Sequence, residues 1–99
     1  MAQFDYYPQR DAPGYLLDCQ TDLMTGYDTR FVVPLMPIDE APAAARHLNP
    51  VFEIDGEQFV MTTQFAGTVP ESELHDVVGS LSTQRYAVLG AIDFLITGV

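Results

Sequence analysis

The sequence predicts a mainly β chain closed by one C-terminal α-helix, and three observations carry that expectation. Two alternating runs, Val51 to Ile54 and Glu57 to Met61, flank Asp55-Gly56, a dipeptide that supplies the positive φ angles of a type I′ hairpin turn. Short alternating segments also open the chain, at Gln3 to Tyr6 and at Tyr15 to Cys19. After Leu81 the apolar period changes from two to that of a helix and holds to the end.

Taken in order, Gln3 to Tyr6 and Tyr15 to Cys19 form an opening hairpin, with Asp11-Ala12-Pro13-Gly14 as the turn. Phe31-Val32-Val33-Pro34-Leu35 is a continuous apolar run rich in β-branched residues, which predicts a strand buried on both sides and stopped by its proline. Met36 to Pro50 contains three more prolines and reads as loop. Phe65 to Val69 is a weaker strand ending at Pro70, and Glu71 to Ser80 is an acidic connection with no periodicity. Ser82 is placed to cap the final helix, with Leu81 and Tyr86 at the staple positions on either side. Val88, Ile92, Leu95 and Val99 form its inward stripe. Leu89, Phe94 and Ile96 point away from that stripe, so the helix needs a second burial surface, and a symmetry-related copy of the same helix is the expected one. The polar remainder is Tyr86, Gly90, Asp93 and Thr97, spaced by four, three and four residues, which marks a candidate functional face. The expected architecture is a strongly bent antiparallel sheet or small barrel, one domain over residues 1–99, closed by that helix.

Composition narrows the function. At 47% hydrophobic and 18% charged, 99 residues can build one modest core and are too apolar for disorder. Fourteen Asp and Glu face four Arg and no Lys, for a net charge of −10, so phosphate backbones are repelled and a basic protein partner is favoured. Residues 1–10 have neither a basic start nor an apolar stretch, and no apolar run approaches a membrane span, which predicts a cytoplasmic protein that does not act at a membrane. The single cysteine, Cys19, alternates with Leu17 and reads as a packed thiol. His47 and His75 lack a second ligand at metal spacing, and no nucleophile elbow or phosphate loop is present, so no catalytic residue, metal or cofactor is assigned. Binding to another protein is the function that these residues leave.

The motifs, taken together, resemble the CcdB family, toxins of plasmid-type toxin–antitoxin pairs that poison DNA gyrase. The likeness is carried by Gln3-Phe4, by QTDLM at Gln20 to Met24, and by Arg30 to Leu35 as RFVVPL. It continues through Pro50-Val51, MTT at Met61 to Thr63, Val69-Pro70, Leu81-Ser82, Ala91-Ile92 and the terminal Gly98-Val99. The resemblance implies a small SH3-like antiparallel barrel of the CcdB and MazF type, a homodimer with neighbouring helices, and a role in plasmid maintenance. It implies that Thr21, Leu23, Met24, Asp93, Thr97, Gly98 and Val99 face the gyrase A subunit, and that an antitoxin of the CcdA type removes the toxin by wrapping the dimer. Leu89, Phe94 and Ile96 are the expected dimer contact. One departure stands out: the family's gyrase poisons end in Trp-Gly-Ile, whereas this chain ends Thr97-Gly98-Val99 and has no tryptophan. A tryptophan would supply a large rigid anchor at an interface centre, and threonine supplies almost none of it. The alternatives are a homologue that keeps antitoxin binding without poisoning gyrase, and a MazF-like toxin that cleaves messenger RNA, for which four arginines are a poor supply of phosphate contacts.

Overall fold

A computed structural model describes residues 2–98. Seven strands form one antiparallel sheet: β1 (Asp5–Pro8), β2 (Tyr15–Asp18), β3 (Thr29–Pro37), β4 (Val51–Ile54), β5 (Glu57–Met61), β6 (Gly67–Pro70) and β7 (Gly79–Ser80). One helix, α1 (Arg85–Thr97), follows. The spatial order is β4-β5-β3-β2-β1-β7, with β6 joined to β3. The sheet curls into a half-barrel whose inner face α1 covers, which agrees with the mainly β fold and terminal helix expected from sequence.

The curl originates in β3. One edge of this nine-residue strand pairs with β2 from Asp18↔Val32 to Tyr15↔Leu35. Its other edge pairs first with β6, through Val32↔Gly67, and then with β5, from Leu35↔Met61. Pro34 falls between those two partners, where its missing N–H leaves no ladder bond unmade. Its carbonyl accepts both the amide (3.0 Å) and the hydroxyl (2.9 Å) of Thr62. The proline therefore does not stop the strand as expected; it marks where β3 changes neighbours, and Met36 and Pro37 belong to the strand rather than to the following loop.

The predicted β4–β5 hairpin forms, and Asp55 and Gly56 take φ angles of 53° and 81°, the left-handed pair that a type I′ turn requires. The opening hairpin also forms, but β1 begins at Asp5. Phe4 itself adopts φ 74°; the chain turns there so that the Phe4 ring enters the core and its carbonyl accepts the Leu81 amide at 2.8 Å. The turn ends at Gly14, φ 103°, where any side chain would strike the Leu35 carbonyl oxygen. Phe65 lies in a single 3₁₀ turn (Thr63–Phe65), so the weaker strand starts only at Gly67. The acidic connection forms a 3₁₀ turn at Glu71–Glu73 and then the short β7.

Burial on both sides of β3 is borne out. Val33 and Leu35 enter the main core with Leu17, Phe52, Phe59, Met61 and Val88, while Val32 joins Tyr7 and Leu74 on the opposite face. Asn49 secures the long 38–50 loop to this core: its side chain donates to the Met61 carbonyl (3.0 Å) and to Gln64 Oε1 (2.7 Å), and accepts the Ala45 amide (3.0 Å). The Met61-Thr62-Thr63 motif has the same purpose, because Thr63 donates to the Leu48 carbonyl at 2.6 Å.

Ser82 does not cap α1. It begins a 3₁₀ turn (Ser82–Gln84) closed by the Gln84 amide on the Leu81 carbonyl, so the α-helix starts three residues later and without a side-chain cap. Leu81 is buried while Tyr86 is 87% exposed, so the expected staple is absent. At the other end Gly98, φ 77°, returns its amide to the Phe94 carbonyl at 2.9 Å, a left-handed C-cap.

Candidate functional site

The expected gyrase-facing residues occupy two places. Thr21, Leu23 and Met24 belong to one 3₁₀ turn, Asp22–Met24, in which the Thr21 hydroxyl accepts the Leu23 amide at 3.3 Å and its carbonyl accepts the Met24 amide at 3.1 Å. Leu23 is 93% exposed at the tip. Two glutamines hold the stems of this turn. Gln20 receives the Phe31 amide on Oε1 (2.9 Å) and donates Nε2 to the Thr29 carbonyl (3.0 Å). Gln3 donates Nε2 to the Cys19 carbonyl (3.1 Å) and its amide to Asp22 Oδ1 (2.8 Å). The family resemblance points to Thr21, Leu23 and Met24 but gives the glutamines no role, because Gln20 finds its partners on β3 and Gln3 reaches residues sixteen and nineteen positions further along the chain.

Asp93, Thr97 and Gly98 form the second place, the exposed end of α1, where Thr97 Oγ1 donates to the Asp93 carbonyl at 2.7 Å. Val99 lies outside the described residues. The stripe of Tyr86, Gly90, Asp93 and Thr97 is exposed along its whole length, as a functional face requires.

Leu89, Phe94 and Ile96 do not form a common face. At 100° per residue Leu89 and Ile96 stand 20° apart while Phe94 is turned about 140° from Leu89. Leu89 packs half-buried on the chain's own core, so part of the expected second surface is already covered internally. Ile96 is 74% exposed. Phe94 faces the His47 ring across 6.0 Å, in an open groove of about 580 Å³ that also borders Pro50, Tyr86, Gly90 and Ala91.

Beneath the Gln20 stem lies an ion pair removed from solvent. Arg30 reaches Asp18 Oδ2 with Nε (3.0 Å) and Nη2 (2.6 Å), and Asp18 Oδ1 accepts the Gln20 amide at 3.1 Å. Burial pushes the Asp18 carboxyl above its ordinary range, against the opposing pull of Arg30 and the Gln20 amide. Of the other arginines, Arg10 lies 3.6 Å from Glu73 and Arg85 sits 5.7 Å over the Phe4 ring. Cys19 is buried, and burial first, then the Asp18 charge, pushes its thiol up to about 12, far from the thiolate that a nucleophile needs. His75 and Asp76 are solvent-exposed in the loop after Glu73. Among the described residues no group of three or more His, Cys, Asp or Glu could hold a metal ion, and no helix is long and apolar enough to cross a membrane.

The curled half-barrel thus presents one braced turn and one exposed helix end. The chain belongs to the CcdB protein family, which it matches over residues 3–98. It is thereby a toxin of the toxin–antitoxin kind, from a family not known for enzymatic activity. No curated protein matches the chain.

Proposed function

We propose that this single domain is a cytoplasmic toxin that binds the A subunit of DNA gyrase, acts as a homodimer, and is neutralised by an antitoxin of the CcdA type. The observation that carries the reading is the exposed Asp93, Thr97 and Gly98 end of α1, closed by a left-handed cap at Gly98. The braced turn at Thr21, Leu23 and Met24 supplies a second contact. The acidic surface suits a basic patch on the target.

Thr97 favours a second reading, in which the chain keeps antitoxin binding but poisons gyrase weakly. In a dimer with neighbouring helix ends, paired indoles at position 97 would clasp a cationic side chain, whereas two threonines leave a shallow gap. The deciding experiment is trapping of cleaved plasmid DNA in a gyrase assay. Weak trapping by the natural chain, strengthened by Thr97→Trp, supports gyrase as the target and explains the departure. Strong trapping that survives removal of residues 97–99 would place the contact elsewhere. Messenger-RNA cleavage is disfavoured because Arg30 is sequestered by Asp18 and cannot meet a phosphate.

A further inference from the structure

Resting on the reading of the 21–24 turn as a docking contact, we propose that Gln20 is a positioning residue that presents Leu23 in a preformed pose to the protein partner. Its side chain spends both ends of the amide on β3, accepting from Phe31 (2.9 Å) and donating to Thr29 (3.0 Å). Its own amide is held by Asp18 Oδ1 at 3.1 Å, and Asp18 is fixed in turn by Arg30. A rigid chain of contacts thus runs from the buried ion pair to the residue that starts the turn. Gln3 adds two contacts of its own, to the Asp22 carboxylate within the turn and to the Cys19 carbonyl just before Gln20.

The result is a leucine 93% exposed on a turn tied to β3 through Gln20 and to the start of the chain through Gln3. An exposed side chain on a mobile loop loses binding energy to ordering when a partner arrives; one already held in place does not. Residue 20 needs the length and both functions of glutamine. Asparagine is one methylene short of the same two β3 groups, and glutamate replaces the donor toward the Thr29 carbonyl by an acceptor. Gln20 is only partly buried, so changing it leaves the core intact.

The test compares the natural chain with Gln20→Met, which keeps length and loses both hydrogen bonds, with Leu23→Ala, and with the double variant. Backbone ¹⁵N order parameters at Leu23 and Met24 should fall from the rigid range near about 0.85 to below about 0.6 in Gln20→Met, while those of β2 and β3 stay unchanged. A residue that contributed only to global stability would not move them in the folded state. Dissociation from purified gyrase A subunit should quicken on the order of tenfold, in line with two lost hydrogen bonds. In the Leu23→Ala background Gln20→Met should add no further loss, because it acts through Leu23. Unchanged order parameters, or an equal loss in both backgrounds, would overturn the proposal. If the natural chain fails to bind gyrase A while the order parameters fall as expected, the partner reading fails and the positioning role of Gln20 stands.

Discussion

Arg30 and Asp18 form a closed pair inside the sheet, with two guanidinium nitrogens at 3.0 and 2.6 Å from one carboxylate oxygen and the other oxygen on the Gln20 amide. No buried side-chain polar atom among the described residues lacks a hydrogen-bond partner, and this pair is the part of that accounting most sensitive to change. Two charges removed from water stabilise the fold only while they remain together.

Breaking the pair from one side is therefore expected to cost far more than replacing it whole. Arg30→Met, which leaves the Asp18 charge buried with no cation beside it, should destabilise by about 3–5 kcal/mol. The double change to Arg30→Met and Asp18→Leu should recover much of that loss. Urea unfolding of the three chains checks it; a double variant no more stable than Arg30→Met would refute the expected recovery.

Gly14 offers a backbone test. At φ 103° an alanine Cβ would collide with the Leu35 carbonyl, whereas at Gly26, φ 94°, the same atom meets nothing within 4 Å. Gly14→Ala should carry both conformational strain and a clash, a loss of roughly 2 kcal/mol or more, and Gly26→Ala only the strain of roughly 1 kcal/mol. Thermal midpoints should rank natural chain, Gly26→Ala, Gly14→Ala from highest to lowest.

Self-association can be read at Ile96. This side chain is 74% exposed, so a glutamate there should leave an isolated protomer folded. If paired helices cover it, Ile96→Glu puts an unpaired charge into the contact. Light scattering at micromolar concentration should give the mass of two chains for the natural protein and of one chain for the variant. A natural chain that scatters as a single copy would refute the dimer.

Alkaline pH should weaken the fold through Cys19, whose thiol rises from 9.0 to about 12 on burial. A raised native pKa means that the folded protein holds its proton while the unfolded chain gives it up, so the contribution is complete below pH 9 and is lost progressively up to about 12. The slope for one thiol is about 1.4 kcal/mol per pH unit. Tyr6 and Tyr7, also raised chiefly by burial, add to the loss above their ordinary value of 10.0. Cys19→Ala should delay the onset of alkaline unfolding, measured by urea midpoints between pH 8 and 11; identical pH profiles would mean that the thiol is solvated.

Local chemistry was legible wherever neighbours in sequence decide it. Asp55-Gly56 specified its turn because both residues tolerate positive φ, and the change of period after Leu81 specified a helix because burial of one face imposes it. Cys19 was legible as a packed thiol from its alternation with Leu17. The start of the helix was not: a serine caps only if its own backbone is extended, and here Ser82 is itself the first residue of a 3₁₀ turn closed on the Leu81 carbonyl.

The sequence by itself determined that the chain is mainly β with a terminal helix, acidic, short of phosphate-binding cations and exposed along Tyr86, Gly90, Asp93 and Thr97, since all of these follow from local pattern and composition. Only the tertiary structure decided that Pro34 lies inside a strand, that Leu89 packs on the chain's own core while Ile96, about 20° away around the helix, stays exposed, and that Gln3, Gln20, Asp18 and Arg30 brace the Leu23 turn. Each of those outcomes depends on a partner from another part of the chain. A proline's missing donor, a leucine's direction or a glutamine's two hydrogen bonds acquire meaning only when the fold brings that partner to within a few ångströms.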